Sequence, residues 1–126
     1  MFETDMETGW SPIPETTGLE GKLLSGDFDE SNASGHRTRI VRFAKGGRTY
    51  APYVHTYWEE VYLVSGEMTN TEDGTTVTAP AYVIRPPGTP HGPFLSENGC
   101  LLLEIQYFAE RKVGVADHLD RNAPKG

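Results

Sequence analysis

The sequence predicts an all-β protein folded as a single small sandwich or closed barrel. Three observations carry this. Stretches with apolar or β-branched residues at alternate positions recur along the chain, the mark of half-buried strands. Turn-forming residues punctuate them at short intervals, at Ser31 to Gly35, Gly46-Gly47, Asp73-Gly74 and Ser96 to Gly99. No stretch shows the apolar spacing of a convincing helix, and 14 glycines and 9 prolines favour many turns over long helices.

Taken in order, residues 1–16 are polar, hold Pro12 and Pro14, and read as an extended N-terminal arm suited to packing on a partner subunit. Residues 17–109 are expected to form the barrel and residues 110–126 a polar tail, the whole being one domain. Residues 18–28 make an opening strand. Arg37 to Phe43 alternates charged with apolar or β-branched side chains, and Gly46-Gly47 then turns the chain. Arg48 to His55 is extended and interrupted by Pro52. Trp58 to Ser65 is the clearest strand, rich in aromatic and β-branched residues. Asp73-Gly74 closes a hairpin between Glu67–Thr71 and Thr75–Thr78, and Ala81 to Arg85 forms the next strand. Pro86-Pro87-Gly88 must leave the ladder, because proline has no amide hydrogen to donate. Cys100 to Phe108 is the most apolar strand. Its alternation puts Cys100, Leu102, Glu104 and Gln106 on one face and Leu101, Leu103 and Ile105 on the other; the polar pair faces either a cavity or water.

Composition narrows the function. The net charge of -7 and the absence of a Lys/Arg cluster argue against nucleic-acid binding, since an acidic surface repels a phosphate backbone. No apolar stretch reaches the length of a membrane span. Cys100 is the only cysteine, so no internal disulfide forms and a reducing compartment fits. Met1 to Trp10 carries acids and no apolar core of signal-peptide type, so a cytoplasmic location is expected. Cys100 reads as a buried small hydrophobe, His36 and His118 as surface residues, and Arg37, Arg39 and Arg42 as a solvated face. Trp58, Tyr62 and Phe94 read as core aromatics.

The informative region runs from Gly47 to Gly66. Gly47 is followed after five residues by Tyr53-Val54-His55, after three more by Glu59, and after six more by Gly66. A second run places Pro80, then Pro86-Pro87-Gly88, His91 and Leu95 at fixed intervals. These two patterns, in this order and separated by a hairpin, resemble the two sequence motifs of the cupin superfamily. Tyr53 stands where the first motif has its first histidine. Pro80 replaces a glycine and Leu95 an asparagine of the second. Pro86 to Cys100 is similar to the corresponding run in cupins like the anti-sigma factor ChrR and the acetylacetone- or dihydroxyacetophenone-cleaving dioxygenases. The resemblance spans roughly Arg37 to Tyr107 and implies an RmlC-like jelly-roll β-barrel.

The resemblance also implies a ligand set. Carried over residue by residue it gives His55, Glu59 and His91, two imidazoles and one carboxylate suited to a divalent transition metal such as Fe, Zn, Mn or Ni. A one-residue shift would turn Glu60 inward instead of Glu59, because neighbouring strand residues face opposite ways. Glu60, Tyr53 and Tyr57 are the candidates for moving protons at the site. Three functions are compatible with this. The first is an enzyme acting on a small oxygen-rich molecule, a dioxygenase of diketone or hydroxyketone type or a lyase or isomerase. The second is a non-enzymatic sensor or small-molecule-binding module. The third is a metal-free cupin whose pocket serves another use, which Tyr53 and Leu95 favour. Edge strands and the proline-bearing arm lead to the expectation of a homodimer.

Overall fold

The computed structural model describes residues 1–109, and every regular element in them is a strand. The strands are β1 (Ser11–Pro12), β2 (Thr16–Gly26), β3 (His36–Thr49), β4 (Trp58–Asn70), β5 (Thr76–Thr78), β6 (Ala81–Arg85), β7 (Phe94–Ser96) and β8 (Cys100–Tyr107). His118 and the expected tail at 110–126 lie outside the described residues.

Two long strands, β3 and β4, organise the barrel. β8 lies between them at one end, pairing antiparallel with β3 from His36↔Tyr107 to Phe43↔Cys100 and with β4 from Trp58↔Tyr107 to Gly66↔Cys100. At the other end β7 joins the same two strands, through Gly47↔Ser96 and Thr69↔Leu95. The ring β3–β8–β4–β7 is therefore closed. β2 extends it beyond β3, β6 and β5 flank β4, and β1 pairs back on β2. The arm thus folds on its own chain in part, with Trp10 stacked under the Arg42 guanidinium at 3.9 Å.

Two elements depart from the sequence reading. Gly46-Gly47 does not reverse the chain. β3 runs on through it, and the pairing with β2 jumps from Leu19↔Phe43 to Thr17↔Arg48, so the extra residues form a bulge that bends β3 toward β7. β7 is not evident from the sequence, because three residues are too few to display alternation. It is held instead by specific hydrogen bonds: Ser96 Oγ donates to Glu67 O at 2.6 Å, and Phe94 N–H donates to Thr49 Oγ at 2.8 Å.

Both motif glycines are fixed by close packing. A Cβ on Gly66 (φ +84°) would stand 2.2 Å from Gly99 O, and one on Gly47 2.9 Å from Ala44 O. In the core Leu19, Val41, Phe43, Leu63, Met68 and Leu102 pack together. Trp58 is buried too, but on the other side of β4, against Ile84 and Tyr107, while Tyr62 stays exposed.

Candidate metal centre

Strand registers set the interior chemistry in layers. Pairing places Arg85, Glu59, Gln106 and Arg37 side by side across β6, β4, β8 and β3. The next row is Val83, Val61, Glu104 and Arg39, and the one below it Ala81, Leu63, Leu102 and Val41. The barrel is thus charged near its mouth and apolar at its floor. A cavity of about 230 Å³ spans the two, with Val41, Phe43, Val61, Phe94 and Leu102 among its apolar walls.

The segment before β4 delivers the site by simple alternation. Tyr53, His55, Tyr57, Glu59 and Val61 all line the cavity, while Val54 is exposed between them. Tyr53 and His91 are tied by two backbone hydrogen bonds, Tyr53 N–H to His91 O at 2.7 Å and His91 N–H to Tyr53 O at 3.0 Å. This bridge brings the turn after Pro86-Pro87-Gly88 over the mouth and presents His91 beside His55.

His55, Glu59 and His91 each offer one donor atom, all within 4.8 Å of one another. Glu59 Oε2 lies 3.8 Å from His55 Nε2, and Glu59 Oε1 lies 3.5 Å from His91 Nε2. Such separations suit donors that share one ion at about 2.0–2.2 Å. Burial lowers the pKa of both histidines; that of His91 falls to about 4, with the Arg85 charge adding to the effect. Neutral imidazoles are the form a metal requires. The ring of His91 is also oriented: Nδ1 stands 3.2 Å from Thr89 O, which takes the N–H there and leaves the Nε2 lone pair for the cavity.

Glu59 is 4% exposed and hydrogen-bonded on both oxygens. Arg85 Nη1 donates to Oε1 at 3.2 Å and Gln106 Nε2 to Oε2 at 2.7 Å. Arg37 Nε donates to Gln106 Oε1 at 2.6 Å, which fixes the amide so that its NH₂ must point at Glu59. One row below, Arg39 Nε donates to Glu104 Oε1 at 2.7 Å. Burial raises the Glu104 pKa, and nearby Glu59 raises it further. Burial opposes the charge on Arg39, but Glu104 more than offsets it.

Of the expected proton-moving residues, Tyr53 and Tyr57 are in the cavity and Glu60 is not. The rings of Tyr53 and Tyr57 lie on either side of His55 in sequence and stack with it, at centroid distances of 5.8 and 4.4 Å. Burial raises both phenol pKa values, so both keep their protons. Glu60 turns to the outer face, where it accepts hydrogen bonds from Tyr82 Oη at 2.6 Å and Tyr107 Oη at 2.9 Å. The expected solvated arginine face also needs correction: Arg42 pairs with Glu20 near the surface, but Arg37 and Arg39 turn inward because they share a side of β3 with Val41. Glu104 and Gln106 face the interior, and Leu101, Leu103 and Ile105 the outside.

Comparison with known proteins agrees with this architecture. None of the curated proteins matches the chain. Among solved structures, an acetylacetone dioxygenase from Acinetobacter johnsonii superposes with a TM-score of 0.65 at 18% identity, covering 98% of this chain and 93% of that one. An RmlC-like cupin from Shewanella frigidimarina gives 0.65 at 24% identity, covering 87% and 92%. The anti-sigma ChrR in complex with SigE from Rhodobacter sphaeroides gives 0.58 at 15% identity, covering 79% of this chain and 48% of that one. At these identities the likeness is one of fold. The model of the ChrR cupin-like domain matches residues 2–107, nearly the whole described chain, and the protein belongs to that family.

Proposed function

We propose that this barrel is a metal-dependent enzyme acting on a small, oxygen-rich, enolisable molecule, with His55, Glu59 and His91 as the metal ligands. The observation that carries it is the convergence of these three donors on the polar end of a cavity of about 230 Å³. That volume lies just below the range of about 300–1,000 Å³ usual for drug-sized ligands, which suits a smaller one. A bound divalent transition ion would supply Lewis acidity and, if it is iron, activation of dioxygen.

The chain's own residues do the rest. Gln106 and Arg85 hold the Glu59 carboxylate in place, and the Thr89 carbonyl holds His91 with Nε2 forward. Among the described residues no side chain meets the Oη of Tyr53 or Tyr57. Both phenols are protonated and border the cavity, so they are placed to donate hydrogen bonds to the oxygens of a bound molecule and to return a proton to it. The apolar floor shapes the other end. Oxygen uptake by iron-loaded protein, measured with a panel of β-diketones, hydroxyacetophenones and 3-oxo acids, tests the dioxygenase form of this reading. Uptake with at least one class supports it. No uptake from a fully loaded sample contradicts it and leaves a lyase or isomerase, detected by product analysis without oxygen.

A second reading, a non-enzymatic sensor, is favoured by the match to the ChrR cupin-like domain. Tight metal binding without turnover of any panel member is its expected signature.

A further inference from the structure

The polar end of the cavity carries a charge balance that names the class of molecule it takes; the inference rests on the metal reading above. Each carboxylate there already has its own cation. Glu59 Oε1 lies 3.2 Å from Arg85 Nη1, and Glu104 Oε1 lies 2.7 Å from Arg39 Nε. These are the only acids among the described residues that line the cavity, and a third arginine, Arg37, stands in the same row as Glu59. The two polar rows thus set three arginines, Arg85, Arg37 and Arg39, against two carboxylates, Glu59 and Glu104. A divalent ion adds two positive charges in a space walled by Val41, Val61 and Leu102, where uncompensated charge is costly. A ligand that carries negative charge offsets this excess.

Arg39 offers a place for it. Its Nε is used by Glu104, and among the described residues no other side chain accepts from its guanidinium. Arg39 lines the cavity, and its charge reaches Tyr53, His55 and Tyr57. Paired guanidinium N–H groups match a carboxylate better than any neutral oxygen. Below Arg39 on the same face of β3 the wall turns apolar at Val41 and Phe43.

We propose that the barrel binds a small carboxylate anion, an enolisable oxo acid with a short apolar chain, with its carboxylate on the Nη edge of Arg39, in preference to a neutral diketone. Glu104 tunes this preference, since its carboxylate competes with the ligand for Arg39.

Acetoacetate and acetoacetamide are near-isosteres that differ in charge, and zinc is redox-inert, so binding can be read without turnover. Calorimetric titration of zinc-loaded protein, with metal content measured on the same sample, is expected to show acetoacetate binding about tenfold or more tighter than acetoacetamide. Arg39→Gln should reduce that preference to about threefold or less, and Glu104→Gln should tighten acetoacetate binding. If Arg39→Gln does not fold, the double variant Arg39→Gln/Glu104→Gln, which replaces the ion pair by an amide pair, gives the same readout. Equal binding of the two probes, binding of neither, or a full preference retained in a folded Arg39 variant would each overturn the proposal. Failure to take up zinc overturns the metal reading instead. The metal-free titration then decides the Arg39 assignment: a preference that Arg39→Gln removes supports it, and no preference overturns it.

Discussion

Gln106 Nε2 stands 2.7 Å from Glu59 Oε2, and the partners were neighbours in the fold before they were partners in chemistry, because β8 and β4 pair at Glu59↔Gln106. Arg37, the next residue across on β3, closes the row from the far side at 2.6 Å from Gln106 Oε1. A half-buried arginine thereby orients a buried amide, and the amide orients a metal-ligand carboxylate.

Gln106→Leu breaks this row. It removes one donor from Glu59 and leaves the half-buried Arg37 without its acceptor. Outer partners of metal ligands are typically worth about 10–100-fold in affinity. The variant should lose metal affinity by that factor, read by competition with a chelator, while circular dichroism still reports a β fold. An unchanged affinity would mean that the row is structural only.

Tyr53→His should act in the opposite direction. Position 53 is tied to His91 through backbone hydrogen bonds, and its ring centroid lies 5.8 Å from those of His55 and His91. A histidine there adds a donor that a protonated phenol is not. Metal affinity should rise by about tenfold or more. The same competition assay checks it.

Glu60→Gln separates the two adjacent carboxylates. Glu60 serves Tyr82 and Tyr107 on the outer face, away from the cavity. Metal affinity and any turnover should be unchanged, and stability should fall by about 1 kcal/mol as a charge-assisted acceptor is lost. Loss of activity in a folded Glu60→Gln protein would return Glu60 to the site.

Gly66→Ala tests the backbone that closes the barrel. It forces a side chain into φ +84° with its Cβ 2.2 Å from Gly99 O. The strain is worth about 1–3 kcal/mol before the clash is counted. A melting temperature lowered by several degrees or more is expected, and no change would show that β4 and the Gly99 turn can separate freely.

His55, Glu59 and His91 were legible through the resemblance of the two motifs to those of cupins, which left Glu59 and Glu60 as alternatives, and the structure groups the three donors with Glu59 inward. In the fold the odd-numbered positions from Tyr53 to Val61 all line the cavity. Arg39, Glu104 and Gln106 were not legible to the same degree. Alternation along β8 groups Glu104 and Gln106 with Leu102, but it also groups Leu101, Leu103 and Ile105, and the more apolar set is an equally good candidate for the interior. The choice is made by long-range register, Val61↔Glu104 and Glu104↔Arg39, which turns the mixed set inward and the apolar set out. Arg39 follows from the same register, since an arginine in an alternating strand looks solvated until a buried carboxylate is placed opposite it.

The central claim is that His55, Glu59 and His91 hold one metal ion. Metal content by mass spectrometry, on protein purified without chelator, tests it against His91→Ala prepared identically. A stoichiometric transition metal in the native protein and its loss in the variant is the predicted result. No metal in the native protein, or the same metal content in both, would contradict it.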